Sequence, residues 1–149
     1  MKTIEEQDSI VIDASGLIFG RMASIVAKRL LSGDPIVIIN AEKAALSGKR
    51  LSRVEEARAF LEIGHPRKGP LHPRRPDQIV RRAIRGMLPH RQPKGRGALK
   101  RLRVFLGMPS EFKNITIQSI PEAHVRRLKG AYLTLGDLAK EIGYKQVGE

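Results

Sequence analysis

At 149 residues the chain is long enough to bury a hydrophobic core unaided, and with no cysteine it has neither disulfides nor cysteine-ligated zinc. Hydrophobic residues make up 41% and charged residues 29%, and no apolar run nears the roughly 18 residues of a spanning helix, which excludes a helical membrane protein. The formal charge of +13, with a pI near 10.8, is an excess that repels itself unless a polyanion relieves it.

In chain order, Met1 to Asp8 carry Glu5, Glu6 and Asp8, the wrong charge for a secretory leader, so a cytoplasmic protein is expected. The run Ser9 to Asp13 reads as a strand, and Ala14-Ser15-Gly16 as a turn. Met22, Val26 and Leu30 fall four apart, with Ala23, Ala27 and Leu31 beside them, which predicts a helix over 20–31. Ser32-Gly33-Asp34-Pro35 ends it, and Ile36 to Ile39 is a continuous apolar run, as in a strand covered on both faces. Two strands joined by a helix should lie parallel with a right-handed crossover. A second helix is expected over about 51–63, with Ser52 and Glu55 as a capping box and Val54, Ala57 and Leu61 as its stripe. Ser47-Gly48 offers an alternative start one turn earlier.

From His65 the composition changes. Residues 65–110 hold thirteen Lys/Arg against the single acid Asp77, whereas residues 1–64 and 111–149 are nearly neutral. Six of the nine prolines lie between Pro66 and Pro93. Residues 64–76 have too few apolar positions to bury and read as an extended arm. Pro76 then opens a helix to about Leu88, with Ile79, Val80, Ala83, Ile84 and Met87 on one face and Arg81, Arg82 and Arg85 on another. The spacing of Leu99, Leu102 and Leu106 predicts a further basic helix over 97–106. Asn114 to Gln118 alternates as a strand, with Ile115 and Ile117 on one side. Ala131 to Leu133 reads as another, and Thr134 caps a helix to about Ile142, stopped by Gly143.

Most isolated motifs have a plain structural reading. Gly16 to Arg21 sits where a strand-to-helix turn could cradle phosphate, but it has neither the P-loop ending nor the dinucleotide spacing. The histidines His65, His72, His90 and His124 lack metal-site spacing and accompanying carboxylates, so no metal and no cofactor are expected. No catalytic triad or carboxylate pair stands out. Thr134 to Gly143 looks like the first helix of a helix-turn-helix, but only six residues follow, too few for a recognition helix.

The basic segment carries the function. Arginine dominates it, and arginine donates bidentately to phosphate. Only 4% of the chain is aromatic, with Phe105 alone inside the segment, so base stacking is not expected as the main mechanism. Phosphate contacts made by a shaped surface against folded RNA are expected instead. Arg81, Arg82 and Arg85 should present one helical face, and Arg67, Lys68, Arg74 and Arg75 should thread the arm into grooves. Arg91, Lys94, Arg96, Lys100 and Arg101 extend the contact, and Lys49 and Arg50 add a phosphate contact at a helix start. A DNA-associated chromosomal protein and an α/β phosphate-binding enzyme remain as alternatives.

The stretch Arg82 to Pro89, then Lys94-Gly95-Arg96-Gly97 and Leu102 to Gly107, resembles the central signature of the universal large-subunit ribosomal protein thirteen family. Val11 to Ala14, Gly20 to Ala23 and Ile38 to Lys43 match as well, so the resemblance spans nearly the whole chain. Ser110-Glu111-Phe112, the Thr134 to Tyr144 ending and the lack of a long C-terminal extension resemble its archaeal form. The resemblance implies a three-layer α/β/α fold around a small, mainly parallel four-stranded sheet, as a single domain over 1–149. It also implies a non-enzymatic constituent of the large ribosomal subunit that binds its RNA, supports assembly and neighbours other ribosomal proteins, with no membrane and no small-molecule substrate.

Overall fold

The computed structural model describes residues 9–146; the acidic stretch Met1 to Asp8, read above as unlike a secretory leader, lies outside the described residues. Strands β1 (Ile10–Asp13) and β2 (Ile36–Ile39) pair in parallel, Ile10 opposite Ile36. Between them runs helix α1 (Phe19–Ser32), whose stripe of Met22, Ala23, Val26, Ala27 and Leu30 is buried throughout. Gly33, at φ 107°, stops the helix by donating its N–H to the Arg29 and Leu30 carbonyls, a left-handed cap that favours glycine. Every residue of β2 is buried, because strands flank it on both sides and its two faces are each covered, Ile36 and Ile38 on one and Val37 and Ile39 on the other.

Those outer strands are β4 (Leu102–Val104) beside β2 and β5 (Ile117–Gln118) beside β1, giving a four-stranded parallel sheet in the order β4-β2-β1-β5. One face carries α1 together with α3 (Pro76–Met87) and α4 (Pro93–Lys100), and the main core of Met22, Val26, Ile38, Val80, Ile84 and Leu102 lies between. The other face is covered by a thinner layer in which Phe112, Phe105 and Ile115 pack on Val11, Val37 and Ile39. At one end β3 (Ala45–Ser47) and β6 (Tyr132–Thr134) form an antiparallel pair, from which α5 (Leu135–Glu141) starts. The Thr134 hydroxyl accepts the Asp137 N–H at 3.2 Å, as the cap reading anticipates. Helix α2 (Arg50–Glu62) lies against α5.

Several expectations are corrected. Residues 97–106 are not one helix: α4 ends at Lys100 and the chain turns at Arg101 into strand β4, where Leu102 and Val104 face the core and Arg103 does not. Leucines three or four apart imitate a helical stripe, but β2 needed a neighbour and an edge strand supplied it. Helix α4 can pack only with glycine at 95, since a Cβ there would come within 2.0 Å of the Pro89 carbonyl oxygen. Met87 is 46% exposed rather than on the buried face. The Ser52–Glu55 capping box is unused, because α2 begins earlier, with Lys49 at the cap and no side-chain cap bond. The strand expected over 114–118 shortens to Ile117–Gln118, and β3 was not anticipated. Nor is the basic segment an appendage. Residues 65–69 close a small turn, 70–75 run without regular structure, and from Pro76 onward the segment supplies core.

Candidate nucleic-acid interface

Helix α3 positions the cations. Val80 and Ile84 are fully buried against α1, so the helix cannot rotate, and Arg81, Arg82 and Arg85 are held on its outer side. Two adjoining hollows line that side, and a third lies at the β4 edge of the sheet. One, of about 410 Å³, is bounded by His72, Gln78, Arg81, Arg82 and Arg85. The next, of about 270 Å³, shares Gln78 and Arg81 and adds Arg103. The third, of about 590 Å³, shares Arg103 and adds Lys100 and Arg101. Shared lining residues join them in a row, here called the trough, from the residues after the arm turn, across α3, and around the β4 edge to the sheet face that carries Val37.

Among the described residues the trough is lined by more cations than acids. Asp77, the only acid of residues 65–110, lines the second hollow, is 7% exposed and accepts two hydrogen bonds from Arg75, from Nε at 3.1 Å and from Nη2 at 2.9 Å. Three guanidinium groups are anchored by backbone carbonyls. Arg81 Nη1 donates to Leu102 O at 2.8 Å, Arg82 Nη1 to Leu71 O at 2.6 Å, and Arg101 Nη2 to Leu30 O at 2.6 Å. A guanidinium has five N–H donors, so one such bond fixes its position and leaves others for a ligand. In Arg101 the Nε is buried and has no partner.

Among the described residues the side chains of Arg67, Lys68, Arg85, Arg91, Lys94, Arg96 and Lys100 have no ion pair or hydrogen-bond partner. Arg67 and Lys68 sit in the arm turn, and Arg91, Lys94 and Arg96 lie on and just before α4, all exposed. Arg74 is placed beside Gly143, past the end of α5. Lys49 is exposed at the cap of α2, while Arg50 is paired with Glu141, whose hydrogen bond and charge raise the arginine's already high pKa. The arrangement therefore gathers Arg81, Arg82, Arg85, Lys100 and Arg101, and leaves the remaining predicted residues around them. Sequence reasoning missed Arg103, Gln78 and His72 as trough residues. The alternation Leu102-Arg103-Val104 was the available signal for the first.

The entry to the Gly16 to Arg21 turn is hydrogen-bonded to its own chain. Ser15 N–H goes to Asp13 Oδ1, Leu17 N–H to Ala14 O, and Ile18 N–H to Ala123 O. Among the described residues no group of three metal-ligating side chains is assembled, and no helix is long and apolar enough to cross a membrane.

Comparison with known proteins identifies the family. The family described as ribosomal protein L13 matches residues 7–111. A large ribosomal subunit protein uL13 of Methanopyrus kandleri is 45% identical over 99% of this chain and 94% of its own length. That of Methanosarcina barkeri is 48% identical over 91% and 98%, and that of Archaeoglobus fulgidus 40% over 99% and 95%. With such a match through the trough residues and archaeal relatives along nearly its full length, the chain belongs to the ribosomal protein L13 family.

Proposed function

We propose that the protein holds large-subunit ribosomal RNA by its phosphates, through the trough of Arg81, Arg82, Arg85, Arg101 and Arg103, with Arg67, Lys68, Arg91, Lys94 and Arg96 widening the footprint. Membership of the family makes it a structural, cytoplasmic constituent of the large ribosomal subunit rather than an enzyme. RNA binding through this surface, support of subunit assembly and contact with neighbouring ribosomal proteins are the further parts of the reading. Residues 1–149 act as a single domain, with 65–110 its binding segment. One observation carries the proposal: the face of α3 opposite the core is lined by arginines, and the segment's sole carboxylate is already occupied by Arg75. A surface with uncompensated, pre-positioned guanidinium groups stabilises a polyphosphate backbone.

Sedimentation of cell extract tests it. The protein should travel with the large subunit and stay there through a high-salt wash. Recovery in the soluble pool, or tighter binding to duplex DNA than to large-subunit RNA, would contradict the reading.

A further inference from the structure

The trough does not end at His72 and Arg82. Beyond them lies a hollow of about 420 Å³ with almost no polar lining, floored by aliphatic side chains of α2, α3 and α5 such as Leu61, Ile79 and Leu138. His72, Pro73 and Arg82 line both this hollow and the arginine-rich one, so a single layer of side chains separates them. The chain has four phenylalanines, and two of them, Phe19 and Phe60, line this one hollow. Phe60 is 58% exposed, and its ring meets that of His72 at 5.5 Å between centroids and 60° between planes. The Arg82 guanidinium is fixed at the boundary by the Leu71 carbonyl, and among the described residues no carboxylate lines the hollow.

We infer that this hollow receives an unstacked base of the RNA whose phosphates lie in the trough. The inference rests on the proposed phosphate reading and extends it by one group. A nucleotide joins an anion to an apolar, π-faced ring. Here an anion site adjoins an apolar site edged by aromatic rings and a guanidinium, the surfaces on which unpaired bases stack. The low aromatic content of the chain means stacking is rare in this protein, and the fold places rings where the cationic track ends. An aliphatic side chain of a neighbouring protein would need no such cationic boundary.

The test uses the full chain and unstructured oligouridylate, with affinity measured across a salt series. Phe60→Leu keeps apolar volume at an exposed position but removes the π face; it should weaken binding about tenfold, leave the salt slope unchanged, and be rescued by Phe60→Tyr. Ultraviolet irradiation of native large subunits should crosslink the peptide containing Phe60 to RNA. Unchanged affinity in Phe60→Leu with a normal salt slope would overturn the base site and leave the phosphate reading standing. Absence of any salt-dependent binding by the unsubstituted chain would remove both. Crosslinking of this peptide to another protein would assign the hollow to a protein neighbour and overturn the inference.

Discussion

Helices α2 and α3 are nearly the same length, 13 and 12 residues, and both carry three arginines, yet they do opposite things with them. On α2 the charges cancel. Arg50 and Arg58 pair with Glu141, and Arg53 pairs with Glu56 while donating to Ser47 O at 2.7 Å. Only Val54 of α2 is buried, so the helix rides on the surface with its arginines paired to Glu56 of its own and Glu141 of α5. On α3 the inner face is core, and the outer arginines have carbonyl anchors or no partner. The difference teaches that the number of cations on a helix does not locate a polyanion site. On the proposed reading, what locates it is charge left without a nearby acid on an element that packing holds still.

Stability measurements probe the packing half of that contrast. Ile84→Ala on α3 should cost about 2–5 kcal/mol in denaturant unfolding, since the side chain is fully buried. Leu51→Ala on α2, 71% exposed, should change stability by less than about 0.5 kcal/mol. Equal effects would mean that α3 is not part of the core. Arg81→Gln should cost about 1–2 kcal/mol, because it removes a charged donor from the Leu102 carbonyl as well as a trough cation.

The smallest expected change has the opposite sign. Gly86 is exposed in the last turn of α3, with open space where a Cβ would sit, so Gly86→Ala should stabilise the free protein by about 0.5–1 kcal/mol. If thermal unfolding shows that gain together with weaker RNA binding, RNA packs closely against this turn. A loss of stability would contradict the open geometry.

Local signals sufficed where one residue pattern had one structural meaning. The stripe of α1, the Gly33-Asp34-Pro35 stop, the continuous apolar β2 and the Thr134 cap were all legible because short-range physics decides them. Strand β4 was not, since Leu99, Leu102 and Leu106 satisfy a helical period and only the vacancy beside β2 breaks the tie. Strand β3 is three residues long and exists through its pairing with β6 across 85 or more positions of chain, a separation no window can see. The candidate site divides the same way. The basic segment stood out from charge alone, as did the arginine face of α3. Which arginines are anchored by carbonyls, that Arg103 joins the trough, and that Arg50 is spent on Glu141 depend on residues far away in sequence.

Matched charge removal tests the central contrast most directly. Binding of the full chain to large-subunit RNA, followed against salt, should give a slope of log K on log salt of roughly −4 to −5, as expected for on the order of six neutralised phosphates. The double variant Arg82→Gln/Arg85→Gln should make that slope shallower by about two, while Arg53→Gln/Arg58→Gln, which removes the same charge from α2, should leave it nearly unchanged. Equal losses from the two pairs would mean that net charge, not the α3 trough, binds the RNA, and a slope near zero in the unsubstituted protein would contradict the phosphate mechanism itself.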